Sequence, residues 1–272
     1  GCEIIGCIIS SPSPFGKKEN FVKKSIKTLN IFGVKFFIYY SIKFIISFFK
    51  NNSIKKLLKS KNIPEIKIKG SINSKTNLDI IKSFSPDLLI SILGNQIFKK
   101  DLINLAPKGC INLHSSLLPK YRGLMPTFWV LKNNETYTGV SVFFVDEGID
   151  SGPIIIQKKI KINNYSQKQL IVLTKKVGME CIAKAVDFIY KDKVKLISNP
   201  NSKKTYFSFP TRNDINEFYK SGKKQTLFRH VNPPWYVGDN RCDLHPRIFN
   251  DKLIVDVSLF NGRAIQVIDF EK

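Results

Sequence analysis

The chain has 272 residues, with 44 Lys and Arg against 21 Asp and Glu, a net charge of +23, and 43% hydrophobic residues. That apolar share excludes a disordered chain, and the length suits one large domain or a domain with an appendage. Thirteen prolines and fifteen glycines with no short period exclude a collagen-like or linker polymer.

Only six of the basic residues are arginine. Phosphate and base recognition favours the forked guanidinium, so a nucleic-acid reader is expected to use more of it. A lysine-rich field still attracts tRNA, anionic lipid or phosphorylated substrates, and charge alone leaves these open. The five cysteines form no Cys-x-x-Cys pair and no zinc-spaced cluster with histidine. They read as reduced thiols of a cytoplasmic protein without a metal.

In chain order, the opening Gly-Cys-Glu-Ile-Ile-Gly-Cys-Ile-Ile-Ser is strand-like and lacks an initiator Met, as expected of a fragment or processed chain. Residues 31–49 are the most apolar stretch. Lys35 and Lys43 interrupt it, leaving charge-free runs well short of the roughly 20 residues that span a bilayer. Its two readings are a helix packed on a sheet, or a basic helix lying on an anionic membrane. Residues 63–69 read as a short strand, 76–84 as a helix, 88–93 as a buried strand and 98–105 as a helix broken by Pro107 and Gly109. A strand follows over 110–114, then a loop over 115–126, a helix over 127–132 and strands over 137–144 and 154–162. Ser166 and Gln169 form a capping-box pattern, and Leu170, Leu173, Val177, Cys181, Ala185 and Ile189 trace one helical face. Strands alternating with helices predict an α/β domain with a mostly parallel, Rossmann-like sheet flanked by helices.

Prolines become frequent after residue 199, and five of the six arginines lie there. We expect a domain over 1–199, with a basic and apolar insertion at 10–62, and a small β-rich extension over 200–272. Apolar runs at 253–260 and 264–270 flank Asn261-Gly262, a strong hairpin signal.

The informative segment is GCINLHSSLLPKYRG, residues 109–123. Asn112 and His114 stand two apart at a strand end, so their side chains share a face, and ligands gather at the carboxyl ends of strands in open α/β sheets. The other segment is VDEGIDSG, residues 145–152, a loop with three acidic residues, which on its own reads equally as a plain turn. Position twelve from Asp146 is Gln157 rather than Glu, which argues against a calcium loop. Neither Gly-x-Gly-x-x-Gly nor a Walker pattern is present, which argues against NAD or ATP.

Together Asn112-Leu113-His114, Ser116-Leu117-Leu118-Pro119, Tyr121-Arg122-Gly123 and Asp150 within Gly148-Ile149-Asp150-Ser151-Gly152 resemble the folate-dependent formyltransferase family, over roughly residues 1–200. The resemblance implies formyl transfer from 10-formyltetrahydrofolate to a primary amine, without a metal. It places the catalytic trio at Asn112, His114 and Asp150. It also implies a pterin site formed by Asn95, Gln96, Ile97 and Phe98 with a contribution from Ser116, Leu117, Leu118 and Pro119. The chain departs from the family in lacking its first strand and helix, in the long apolar insertion, and in the short tail.

The chemistry suits these residue types. Amine attack on a formyl carbon builds charge on oxygen, to which the Asn112 amide and a protonated His114 can donate, while Asp150 favours the charged imidazole and helps collect the amine proton. Among family acceptors, initiator methionyl-tRNA suits the charge and the Arg-containing tail, and a nucleotide-linked amino sugar suits the short tail and apolar insertion. A catalytically inactive binding protein on the same fold, touching a membrane through residues 31–49, is a third reading, against which the intact trio argues.

Overall fold

The computed structural model describes residues 2–9, 21–34, 37–38, 41–42, 54–92, 94, 96–220, 246–249, 252–259 and 262–269. Asn95 and most of the stretch 31–49 lie outside these residues. No helix among the described residues is long and apolar enough to cross a membrane.

Helix α1 (Phe21–Phe32) stops at Gly33, whose φ of 85° no other residue type adopts readily. Helix α2 (Ile54–Ser60) buries Ile54 and Leu58, one turn apart. The strand expected over 63–69 is reduced to one parallel bridge between Cys7 and Glu65. Pro64 accepts from the Cys7 N–H but has no N–H to extend a ladder. Helix α3 (Lys75–Ser83) is capped by Ser74, whose hydroxyl accepts from Asn77 N.

Strand β1 (Leu89–Ile92) leads to α4 (Lys100–Ile103), a single turn where a longer helix was expected. Leu105 N donates to Leu102 O, three residues back, so the chain tightens out of the α-helix ahead of Pro107. Strand β2 (Cys110–His114), the two-residue β3 (Arg122–Gly123), α5 (Pro126–Lys132), β4 (Tyr137–Phe144) and β5 (Ile154–Lys161) follow. Helix α6 (Gln167–Tyr190) carries the expected capping box, with both the Ser166 and the Gln169 bonds formed. After it come β6 (Tyr206–Phe207), α7 (Arg212–Lys220) and the strands β7 (Pro246–Phe249), β8 (Lys252–Leu259) and β9 (Gly262–Asp269).

The central sheet has the order β1-β2-β4-β5. Strand β1 pairs with β2 in parallel, while β4 is antiparallel to both β2 and β5. Three of the four strands therefore run one way, and β4 alone is reversed. Helix α6 covers one face, where Ile111, Leu113, Val140 and Val142 meet Val177, Cys181, Ala185 and Ile189. Because side chains alternate along a strand, Asn112 and His114 must point to the other face of β2.

A second core forms where Phe32 of α1, Phe128 and Trp129 of α5, Leu170 of α6 and Ile215 and Phe218 of α7 meet around Tyr121. Strand β6 pairs in parallel with β3, tying residues 206–207 to 122–123. Strands β7, β8 and β9 form a separate antiparallel sheet. Leu259 pairs with Gly262, so Gly262, expected in the turn with Asn261, is a strand residue of β9.

Candidate active site

Strand β2 delivers Asn112 and His114 to one end of the sheet, and the chain then makes a tight circuit from Ser115 to Gly123. Ser116 is fully buried, and its hydroxyl donates to Lys120 O at 2.8 Å. Ser141 of β4 braces the same circuit: its hydroxyl donates to Ser116 O at 2.7 Å and accepts from Leu118 N at 3.1 Å. Gln157 of β5 donates from Nε2 to Leu118 O at 2.9 Å. These bonds lie inside the protein, away from competing water, so they fix the loop firmly.

The circuit exists to place Tyr121. Its φ of 61° is left-handed, which for a bulky residue is held only where surrounding bonds demand it. Tyr121 N donates to Thr205 Oγ1 at 2.8 Å, and its hydroxyl donates to Glu135 at 2.7 Å. Burial and the bond to Glu135 push the Tyr121 phenol up to about 12. Its carbonyl meets His114 Nε2 at 2.7 Å. A carbonyl can only accept, so Nε2 carries a proton and donates it there.

That leaves Nδ1 as the other working nitrogen of His114, and it lies 3.5 Å from Asp150 Oδ2. Both groups are acceptors when His114 is neutral and Asp150 ionised, so a proton between them satisfies both. Asp150 Oδ2 also accepts from Gly123 N at 2.8 Å. The loop carrying Asp150 is turned by Asp146, which accepts from Gly148 N at 3.1 Å and from Ser151 Oγ at 2.5 Å. Asn112 is half-buried, and its Nδ2 donates to Ser91 Oγ at 3.2 Å across the parallel register of β1 and β2. The structure thus brings His114 and Asp150 together and sets Asn112 on the same strand face.

The residues expected to form the pterin site divide. Gln96 is turned toward the chain at 70–72, accepting from Ile72 N at 2.8 Å. Phe98 packs against the small core of Ile72, Ile81 and Leu102. Ile97 is exposed. Leu118 is buried with Phe143 and Ile154, and Leu117 presses against Gly139. Leu118 joins Pro119 through a cis peptide. Of the expected set, Ile97 offers open apolar surface, while Ser116 and Leu118 brace the loop. Asn95 lies outside the described residues.

A cleft of about 420 Å³ opens beside Asp150, lined by Arg122, Ile149, Ser151, Lys204 and Tyr206 among others. Arg122 is only 3% exposed, and burial lowers its pKa while Asp150 and Asp146 favour its charge. Its guanidinium donates to Asn199 O at 3.0 Å, Asn199 Oδ1 at 2.9 Å and Asn201 Oδ1 at 2.7 Å.

Ser91, Ser141, Gln157 and Asn199 were not singled out from the sequence. Ser91 and Ser141 carried a readable signal, since each is a hydroxyl set between apolar neighbours in a buried strand, Ile90 and Ile92 for one and Val140 and Val142 for the other. Asn199 carried none, because its role comes from chain segments that only the fold brings together.

Comparisons with known proteins bear on the family and the fold. The formyl transferase family profile matches residues 50–186. A methionyl-tRNA formyltransferase of Kosmotoga olearia is 36% identical over 226 residues, covering 80% of this chain and 71% of that protein. One from Borreliella burgdorferi is 31% identical over 196 residues, covering 71% of this chain and 62% of that protein. Among solved structures, a sugar N-formyltransferase from Shewanella sp. FDAARGOS_354 shares the fold at a TM-score of 0.50 and 17% identity, covering 79% of each chain. A chain with half its length under the family profile and a relative at this identity belongs to the formyl transferase family.

Proposed function

We propose that the protein is a cytoplasmic enzyme that transfers a formyl group from 10-formyltetrahydrofolate to a primary amine, with initiator methionyl-tRNA as acceptor. The observation that carries this reading is the His114–Asp150 pair, 3.5 Å apart, with the far nitrogen of the imidazole pinned to the Tyr121 carbonyl. The donor supplies an electrophilic formyl carbon. Asn112 donates an amide N–H to the oxygen that gains charge as the amine attacks, and Nδ1–H of His114 is the second donor. As the new C–N bond forms, the amine proton passes to the Asp150 carboxylate, Nδ1 of His114 keeping its own proton. From there it returns to the nitrogen that leaves. Ile97, exposed near the end of β1, is the described side chain best placed to meet a planar ring.

The cleft beside Asp150 receives the acceptor, and its chemistry also favours a second reading. Lys204 for a phosphate and the half-exposed ring of Tyr206 for a base suit a nucleotide-linked amino sugar. One experiment separates the two. The protein is incubated with 10-formyltetrahydrofolate and either methionyl-tRNA or an amino-sugar nucleotide, and the formylated product is weighed by mass spectrometry. Formyl-methionine is expected, together with a loss of about 10²-fold or more for Asn112→Ala, His114→Ala and Asp150→Asn. Product on the sugar alone moves the acceptor to the second reading. Full activity of His114→Ala overturns the mechanism.

A further inference from the structure

We propose that Asn199, gripped by Arg122, is a positioning residue that sets the Asp150 carboxylate opposite His114; this rests on the reading of Asp150 given above. The Asn199 side-chain amide donates to two carbonyls at once, Asp150 O at 3.0 Å and Gly152 O at 2.8 Å. It therefore fixes the backbone on which Asp150 sits. The hold adds to a φ of 49°, a left-handed conformation open to Asp but sparsely populated by residues other than glycine.

The other end of Asn199 is held in turn. Its backbone carbonyl and its Oδ1 both accept from Nη2 of Arg122, and Nη1 of the same guanidinium reaches Asn201. Arg122 is followed by Gly123, whose N–H donates to Asp150 Oδ2. The contacts thus close a ring: Arg122 holds Asn199, Asn199 holds the Asp150 backbone, and Gly123 holds the Asp150 carboxylate. Three segments distant in sequence meet in it, near residues 122, 150 and 199. The guanidinium fork makes this possible, because it presents several N–H groups in fixed directions where an ammonium would be a point charge.

Without Asn199 the carboxylate keeps its Gly123 bond but loses the support beneath its Cα. Displacements of about 1 Å at a reacting group can cost about 100-fold in rate. The informative variant is Asn199→Asp. It keeps the size and both acceptor groups, and strengthens the bond to Arg122 by adding charge, yet it cannot donate to the two carbonyls. The gain at Arg122 offsets part of the loss at the two carbonyls, which are left without a donor, so melting is read beside kcat.

The test measures kcat and donor KM for wild type, Asn199→Asp, Asp150→Asn and the double variant, with melting curves for each. Asn199→Asp is expected to melt within a few degrees of wild type and to lose about 10- to 100-fold in kcat, with donor KM changed less than about twofold. In the Asp150→Asn background the same substitution is expected to cost less than about twofold, because residues acting through one group are non-additive. Wild-type kcat in Asn199→Asp, or an undiminished loss in the Asp150→Asn background, overturns the proposal. If Asn199→Asp does not fold, Asn199→Ala, which introduces no charge, is read in the same way. Hydrogen exchange over residues 146–152 supplies a readout without activity. Faster exchange in the variant is expected, and unchanged exchange overturns the clamp. Absence of formyl transfer by the wild type would instead overturn the reading of the site, leaving the exchange result to decide the clamp.

Discussion

Gly123 and Gly70 both have left-handed backbones, with φ of 94° and 73°, but their surroundings differ. A Cβ at Gly70 would meet nothing within 4 Å, whereas one at Gly123 would collide with the Phe207 carbonyl and the Tyr206 ring across the β3–β6 pair. Gly70→Ala is expected to cost about 1 kcal/mol, the conformational penalty alone. Gly123→Ala is expected to cost about 3 kcal/mol or more, because backbone must also move. Differential melting checks this, and equal losses would contradict the crowding at β3. At this scale the sequence was informative wherever a residue's role is local. Asn112 and His114 share a face because they stand two apart on a strand, and Ser166 caps because Gln169 follows three residues later. Asn199 gave no such sign, since its partners at 122, 150 and 152 are neighbours only in the fold. The same holds for the His114 tautomer, which follows from the left-handed Tyr121 aiming its carbonyl at Nε2.

Helix α7 is docked onto the core through Ile215 and Phe218, but its start depends on charge. Asp214 accepts from the Thr211 hydroxyl at 2.6 Å and from Thr211 N at 2.8 Å, and pairs with Lys132 of α5 at 3.0 Å. Burial opposes ionisation of Asp214, yet these bonds outweigh it and hold its pKa below the ordinary 3.8. A carboxylate with a lowered folded value stabilises above its ordinary pKa, and that contribution is lost as pH falls through the folded value. Exchange protection over residues 211–220 is therefore expected to hold from neutral pH down to about 4 and to fall below it. Asp214→Asn is expected to lower protection at neutral pH and to abolish the acid step. A step that persists in this variant would assign it to another group. Element types were readable from periodicity, as the buried face of α6 illustrates. The reversal of β4 was not, because strand direction lies in the connections. Only nine residues separate β4 from β5, too few for the crossover that a parallel pair needs.

A net charge of +23 and a cleft bearing Arg122 and Lys204 act over the whole molecule and bear on the acceptor. A polynucleotide releases condensed counterions when lysines replace them, so its affinity falls as a power of salt concentration. About six phosphate contacts would cost roughly a thousandfold in affinity between 50 and 200 mM salt. A nucleotide-linked sugar carries only its diphosphate, and its response would be far shallower. The formyl donor is common to both acceptors, so its own salt dependence serves as the internal reference. If methionyl-tRNA is the acceptor, kcat/KM for it is expected to fall steeply between 50 and 200 mM salt while donor KM moves little. A flat acceptor response would mean that the charge lies away from the path of the substrate, and would favour the small acceptor even where some formyl-methionine is formed. Composition announced this field, but with only six arginines among 44 basic residues it could not say which polyanion the field meets. Reading salt dependence on the acceptor and the donor in the same assay connects the charge of the whole chain to the cleft beside Asp150.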